Sequence, residues 1–186
     1  MSVLKSHRSE SKAEYVSIAN QICNDTIEFL SRLSARYSRL LAPKTAGLAA
    51  DVLIYAESAN NTYPSDKVKV EKREEYLVSA AASLHSLDDM LAHCYEIMMK
   101  NPEGCFVGSD GKRTVSSSEA TRKLENMSQE LGELIDKEGN KLAGVMKSDK
   151  ERAKAARQSA RKKEVEQEQE ETAQEEPTQE NSVERT

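Results

Sequence analysis

The sequence predicts an all-α fold: an antiparallel, up-down-up-down four-helix bundle followed by a disordered, charged C-terminal tail. Apolar residues recur at helical spacing in four segments, and the connections between these segments are short, which places neighbouring helices antiparallel. Aromatic residues make up only 4% of the 186 residues, Trp is absent, and there are 7 Gly and 4 Pro. Such a composition gives little support to β-rich or collagen-like folds.

The first predicted helix begins with a capping box, Ser11 and Glu14, whose side chains satisfy backbone N–H groups at a helix start. Its apolar residues follow alternating steps of three and four, which is the spacing of a heptad seam. They are Val16, Ala19, Cys23, Thr26, Leu30, Leu33, Tyr37 and Leu40. Because proline disrupts a helix interior but is tolerated at a helix start, Pro43 predicts that this helix stops near Leu41.

The second helix is predicted over residues 44–60, and it is short. One of its faces carries Leu48, Val52, Tyr55 and Ala59. The pair Tyr63-Pro64 then breaks the chain, because a residue before proline is pushed out of the α region. Ser65 or Asp66 can cap the helix that follows.

The third helix, over about residues 66–100, has the strictest apolar pattern in the chain. Its seam consists of Leu77, Ala80, Leu84, Leu87, Leu91, Cys94 and Met98. In the connection that follows, Asp110-Gly111 predicts a small hairpin or an ordered loop. A second capping box, Ser116 and Glu119, starts the fourth helix. The inward residues of that helix are Leu124, Met127, Leu131, Leu134, Leu142 and Val145.

The formal net charge of −5 is unevenly distributed. Residues 165–186 hold eight Glu and one Arg, which leaves residues 1–164 with a charge of +2. A segment of Glu, Gln, Thr and Pro cannot bury a core, so we expect it to be disordered. The predicted organisation is a basic N-terminal arm (1–10), the four-helix bundle (11–148), a basic helical extension (149–164) and an acidic disordered tail (165–186).

The three cysteines are an odd number at wide spacing, and the N-terminus MSVLKSHRSESK has no apolar segment of a signal peptide. Both observations predict a cytoplasmic protein with reduced thiols. No run approaches the roughly 20 apolar residues that a membrane-spanning helix needs, so no membrane association is expected.

No motif in the sequence indicates catalysis. The Glu-x-x-His pairs of di-iron bundles are absent, because the residues three before His85 and His93 are Ala82 and Met90. Cys94 is adjacent to His93, but one such pair falls short of a zinc site, and its place on the apolar seam favours a buried structural thiol. Phosphate loops, dinucleotide fingerprints and nucleophile elbows are also missing. We therefore expect a protein that is not an enzyme and that binds no metal or cofactor.

Three rows of basic residues remain as candidate binding sites. The first, which we call the Arg32 row, lies on one side of a helix beside its apolar seam and consists of Arg32, Arg36 and Arg39. The plainer interpretation of this row is a solvated flank of the helix. The Lys67 row opens the third helix, where positive charge opposes the helix dipole unless an anion is nearby. It consists of Lys67, Lys69, Lys72 and Arg73. The Lys147 row has no interleaved aromatics, which favours attraction to phosphates over reading of bases. It consists of Lys147, Lys150, Arg152, Lys154, Arg157, Arg161, Lys162 and Lys163.

The stretch SANNTYPSDKVKVEKREEYLVSAAASLHSLDDMLAHCYEI resembles a pattern in a four-helix-bundle family. That family includes proteins encoded in intervening sequences of 23S ribosomal RNA genes and the accessory variability determinant (Avd) proteins of diversity-generating retroelements. The shared features are an Ala-Asn helix end, a short break, Arg73 with Tyr76-Leu77, and a run of packing positions. This run is Ala80, Ser83, Leu84, Leu87 and Leu91. The opening MSVLKSHRSESKAEY is also similar to such proteins, and the resemblance covers about residues 1–148. The connection 101–115 and the acidic tail are not part of the family pattern.

The resemblance implies a small, non-catalytic protein that forms a homopentameric barrel of bundles. Such a barrel binds the reverse transcriptase of the element and its template RNA, and it supports mutagenic cDNA synthesis. The three basic rows are then candidate contacts with RNA or with the reverse transcriptase. The alternative is a structural or regulatory adaptor that binds a partner protein helix through exposed seam residues, without nucleic acid. A metal-dependent bundle enzyme is a third, less favoured hypothesis.

Overall fold

The computed structural model describes residues 14–108 and 111–175, except for the side chains of residues 156, 160 and 162–175. Its four helices are α1 (Glu14–Leu30), α2 (Ala35–Asn61), α3 (Lys67–Met99) and α4 (Ser117–Glu175), and a short 3₁₀ turn (Pro102–Cys105) follows α3. The chain divides into two units, Met1–Met146 and Lys147–Thr186. The predicted basic arm (1–10) and Ser11 of the first capping box lie outside the described residues.

The helices of the first unit form the predicted all-α four-helix bundle. Helix α2 packs against both α1 and α3. The start of α1 meets α4, because Lys141 and Lys137 hold the Glu14 carboxylate at 2.6 and 3.2 Å. Arg32, just beyond the other end of α1, shares a cavity with Lys123 of α4. Helices α1 and α4 are therefore antiparallel.

The predicted seam of α3 is confirmed in full, since all seven of its residues are buried. Large side chains from the other three helices complete the core. Those with almost no exposed surface include Ile22, Phe29, Val52, Leu124 and Leu142. The core therefore draws on every helix, and its burial provides the main favourable term in folding.

The predicted boundary between the first two helices is wrong. Helix α1 ends at Leu30, and Pro43 lies inside α2. Two residues assigned to the first seam are at the surface instead, Tyr37 with 39% and Leu40 with 70% of its area exposed. The last buried residue of the predicted first seam is Leu33, which lies in the turn just after α1.

Local hydrogen bonds explain why the chain turns at residues 31–34. The Ser31 hydroxyl donates to the Glu28 carbonyl at 2.6 Å. The amides of Arg32 and Leu33 donate to carbonyls three residues back, at 3.0 and 3.1 Å, which tightens the last turn of α1. Pro43 lacks the N–H that would bond the Arg39 carbonyl. Both residues are exposed, so this carbonyl lies on the side of α2 that water reaches.

The other predicted turns agree more closely with the structure. Asp66 caps α3 by accepting a hydrogen bond from the Lys69 amide at 2.9 Å, and this bond lowers the pKa of Asp66. Val107 pairs with Arg113 in an antiparallel bridge, as a hairpin requires, on either side of residues 109–110, which lie outside the described residues. Gly111 has a φ of 77°, a conformation that favours glycine.

Helix α4 is longer than the sequence predicts. Its start is capped by the Ser116 hydroxyl, which accepts from the Glu119 amide at 3.4 Å, while the Glu119 carboxylate pairs with Lys123 at 3.0 Å instead of reaching back to the cap. Its helical backbone continues to Glu175, into the segment predicted to be a disordered tail from residue 165. Residues 176–186 of that segment lie outside the described residues.

Candidate functional site

The Arg32 row and the Lys67 row lie at opposite ends of α2. Arg36 and Arg39 are in its first turns, whereas Lys67 begins α3 directly after the corner that follows Asn61. Helix α2 has 27 residues, which corresponds to a length of about 40 Å. The fold therefore does not bring these two rows together into one surface.

Arg32 differs from the other members of its row because it is packed against the bundle. Its guanidinium carbon lies 5.2 Å from the centre of the Phe106 ring, within the range of a cation–π interaction. Its Nη2 lies 3.5 Å from a carboxylate oxygen of Glu28. Arg36 and Arg39 are exposed. Only these two arginines of the row stand fully at the surface.

Arg73 holds the corner between α2 and α3. Its Nη1 donates to the carbonyl oxygen of Ala59 and, at 3.4 Å, to that of Thr62. The last carbonyls of a helix lack the usual helical partners, and the guanidinium adds to the Thr62 amide, which donates to the Ala59 carbonyl at 3.3 Å, so that both stabilise the end of α2. The structure thus gives Arg73 a role inside the bundle.

The three lysines of the Lys67 row are exposed. Lys67 lies 3.8 Å from Glu71, and Lys69 lies 3.5 Å from Asp66. Surface pairs of this kind contribute at most about 1 kcal/mol each, so an anionic partner can compete with them. Lys72 lies 5.8 Å from the centre of the Tyr76 ring.

The Lys147 row lies on the part of α4 that belongs to the second unit. Its members with described side chains are all exposed. They are Lys147, Lys150, Arg152, Lys154, Arg157 and Arg161. The side chains of Lys162 and Lys163 lie outside the described set. Arg152 approaches Asp149 at 3.8 Å. The row therefore offers a series of exposed cations along one helix.

Helical periodicity does not predict the cavity at the end of the bundle where α1 turns into α2. Its volume is about 470 Å³. Its walls come from three separate parts of the first unit, and the lining residues are Arg32, Phe106, Thr114, Lys123, Asn126, Met127 and Glu130. The Lys123 ammonium lies 5.7 Å from the centre of the Phe106 ring, so two cations face one aromatic side chain. Only the presence of a Phe in the 101–115 connection hinted at this packing.

Glu138 is a second feature that periodicity did not reveal. It is fully buried on α4, and neither carboxylate oxygen has a hydrogen-bond partner among the described residues. Burial raises its pKa to about 8, because an ionised carboxylate is costly in an apolar interior. Glu138 is therefore protonated at neutral pH.

The cysteines are free thiols, and Cys94 is buried as predicted. Its sulfur lies 4.0 Å from the Thr45 hydroxyl, and burial raises its pKa. Within residues 14–108 and 111–175, His, Cys, Asp and Glu side chains form no group of three or more that could hold a metal ion. In the same ranges, no helix has both the length and the apolar character needed to cross a bilayer.

Comparisons with known proteins add no further assignment. Searches against protein-family models, curated proteins and solved structures found no match to this chain. Function must therefore be argued from the residues and the fold.

Proposed function

We propose that this protein is a non-catalytic accessory subunit of a diversity-generating retroelement. In the cytoplasm it binds the element's reverse transcriptase and template RNA, and it supports mutagenic cDNA synthesis. The observation that carries the proposal is the resemblance of the stretch around α3 to the Avd pattern. In the bundle, packing positions of that stretch lie in the core. Of the packing positions in the pattern, Ala80, Leu84, Leu87 and Leu91 are buried, and Ser83 is half-buried.

The corner before α3 supports the same proposal. The resemblance includes the Ala-Asn end of the second helix, the break and Arg73. In the structure these features are one unit, because Arg73 bonds the Ala59 carbonyl across the break. A family pattern that coincides with a structural clamp is better support than a pattern of apolar residues alone, since apolar heptads occur in unrelated bundles.

Exposed positive charge supports contact with RNA. Arg36 and Arg39 stand at the surface near one end of the bundle, and the Lys147 row adds a basic helix in the second unit. Lysine and arginine that neutralise phosphates release counterions from nucleic acid, and this release drives association without reading the base sequence. We therefore assign the phosphate contacts to these exposed residues, and not to Arg73.

RNA binding can be tested with paired alanine variants. We expect Arg36→Ala/Arg39→Ala to weaken binding of the template RNA and to reduce the slope of log K against log salt by about 1.4, because each single-strand phosphate contact contributes about 0.7. The measurement is a fluorescence anisotropy titration at several salt concentrations.

The matched control is Lys100→Ala/Arg122→Ala, which removes two exposed cations from outside the predicted rows. It should leave the salt slope close to that of the wild type. If both double variants lower the slope equally, binding reflects net charge alone. A wild-type protein that fails to bind the template RNA at low salt would contradict the RNA part of the proposal.

The resemblance also implies a homopentamer. With a subunit mass of 20.7 kDa, the assembly should have a mass of about 100 kDa in solution. Multi-angle light scattering after size exclusion measures this mass directly. A monomer over the whole accessible concentration range would count against the family assignment.

The alternative function, an adaptor that binds a partner helix, is favoured by one specific observation. A face of α2 exposes apolar residues at heptad spacing, with Leu40 at 70% and Ile54 at 54% exposure. Between them, a Cβ built on Gly47 would meet nothing within 4 Å, so that part of the surface is open. Exposed apolar stripes often mark protein interaction sites.

A photo-crosslinking amino acid at position 40 distinguishes the two readings. Crosslinks to the reverse transcriptase or to a second copy of this chain support the retroelement subunit. Crosslinks to an unrelated helical protein, with no RNA-dependent complex, support the adaptor. The same group at Val78, an exposed apolar position on α3, provides the control for chance contacts.

A further inference from the structure

The geometry points to a binding site for a phosphate monoester on a hydroxylated carrier, such as a sugar phosphate or a nucleotide, in the cavity beside Phe106. This inference does not depend on the retroelement proposal. Arg32 belongs to a predicted basic row, but neither that row nor the family resemblance assigns a small-molecule site. The cavity of about 470 Å³ falls in the size range of small-molecule sites in proteins.

The cationic end of the cavity is built by convergence of residues that are distant in sequence. The Arg32 guanidinium and the Lys123 ammonium lie 5.2 and 5.7 Å from the centre of the Phe106 ring. The two positive charges therefore lie within roughly 11 Å of each other, and both line the cavity beside Phe106. Because Phe106 is buried, it fixes the positions of both cations and does not itself offer a stacking surface to a ligand.

Arg32 has hydrogen-bonding capacity that the protein does not use. A guanidinium has five N–H donors, yet the described contacts supply only Glu28, at 3.5 Å, which is long for a hydrogen bond. Its buried Nε has no partner among the described residues. Phosphate is a fitting acceptor, because its oxygens match the forked geometry of arginine.

The existing ion pairs do not prevent an anion from binding. Arg32 is paired with Glu28, and Lys123 with Glu119, in both cases with a residue four positions away on the surface. All four side chains are partly exposed, and pairs of this kind contribute little net stability. A dianion that contacts both cations together can therefore displace these weak interactions.

The cavity has different chemistry further along α4, and this difference selects the carrier. Glu130 is seven residues after Lys123 on α4, which corresponds to about 10 Å along the helix axis. Its carboxylate repels a second phosphate but accepts hydrogen bonds from hydroxyl groups. Asn126 and Met127 lie between these two residues on α4, and Thr114 from the 101–115 connection also lines the cavity. This gradient from cations to a carboxylate suits a ligand with a phosphate at one end and hydroxyl groups at the other.

The cavity is also too large for a phosphate ion alone. The space leaves room for a sugar joined to the phosphate, as in ribose 5-phosphate or a nucleoside monophosphate. We therefore expect binding to improve in the order ribose, inorganic phosphate, ribose 5-phosphate.

The test is isothermal titration of the full chain with these three compounds and with AMP, followed by two variants. Lys123→Gln should weaken ribose 5-phosphate about tenfold or more, the loss expected for a charge-assisted hydrogen bond. Arg122→Gln, which removes the neighbouring exposed cation outside the cavity, should change affinity less than twofold. Glu130→Gln should strengthen inorganic phosphate and reduce the preference for the sugar phosphate.

RNA oligonucleotides with and without a 5′ phosphate identify the source of the ligand. If 5′-phosphorylated RNA binds more tightly than ribose 5-phosphate, and Lys123→Gln removes the difference, the phosphate comes from an RNA end and the site stands. Thermal unfolding of each variant shows whether it is folded. The inference is overturned if the wild type binds no phosphate monoester at 10 mM, or if Lys123→Gln binds as tightly as the wild type or as tightly as the control Arg122→Gln.

Discussion

Glu138 places a carboxyl group on the buried face of α4, three residues after Ile135 and four before Leu142, which are both buried. Its pKa of about 8 is above the value of 4.5 for a solvated glutamate. The folded protein therefore holds a proton that the unfolded chain releases between these pH values. The resulting contribution to stability is fully present below pH 4.5 and is lost as the pH rises towards 8.

We expect the free energy of unfolding of the wild type to fall relative to that of Glu138→Gln as the pH rises from 5 to 8. The predicted relative loss is on the order of 3 kcal/mol, because each unit of pH costs about 1.4 kcal/mol for one coupled proton. Urea unfolding of both proteins at several pH values measures it. Gln has the same shape but does not titrate, so parallel profiles would show that Glu138 ionises normally in the fold.

Arg73 offers a second test at the residue scale. Arg73→Ala should lower the free energy of unfolding by about 1–3 kcal/mol, because it removes a charge-assisted hydrogen bond to the Ala59 carbonyl, which keeps only the Thr62 amide at 3.3 Å. Lys72→Ala, at the exposed neighbouring position, should change it by no more than about 0.5 kcal/mol. Urea unfolding of the two variants side by side measures the difference. If the two variants lose the same free energy of unfolding, the hydrogen bonds of Arg73 do not stabilise the corner between α2 and α3.

At the scale of elements, the fold and the sequence-based prediction differ in where Pro43 lies relative to the helix ends. At a helix start, Pro43 would be favourable, and its replacement by alanine would be neutral or destabilising. Inside α2 it interrupts the hydrogen-bond ladder. We therefore expect Pro43→Ala to raise the free energy of unfolding by about 1–3 kcal/mol.

Chemical denaturation at neutral pH measures this change, with Ala42→Gly as a control that should destabilise α2 by up to about 1 kcal/mol. A Pro43→Ala protein that is less stable than the wild type would place a helix boundary near residue 43, as the sequence alone predicted. It would also return Tyr37 and Leu40 to the seam.

Helix α3 and the boundary between α1 and α2 show where prediction from sequence succeeds and where it fails. The seam of α3 has one apolar stripe with clear stop residues, so its periodicity defines both the helix and its buried face. At residues 31–34 the turn depends on serine hydrogen bonds and on the burial of Leu33, while the heptad spacing continues across it into Tyr37 and Leu40. Periodicity cannot detect a corner that keeps its register.

At the scale of the whole molecule, the features that periodicity missed are those that need tertiary proximity. Arg32 lines the cavity together with Phe106 and Lys123. In sequence, Arg32 is separated from both of them by most of the bundle. Glutamate is usually a surface residue, so the sequence favours an exposed Glu138. Its burial follows only from how α4 packs. Conversely, the three basic rows were readable from sequence, but only the fold shows that two of them lie at opposite ends of α2 and that Arg73 is occupied within its own chain.

The proposed function requires that this protein assemble with a reverse transcriptase and its template RNA. Co-expression of this protein with the reverse transcriptase and template RNA of the same element, followed by size exclusion with light scattering, shows whether they form one complex. We predict one particle that contains the reverse transcriptase, the RNA and several copies of this chain. If this chain elutes separately at low salt, without the enzyme or the RNA, it is not a subunit of such an element.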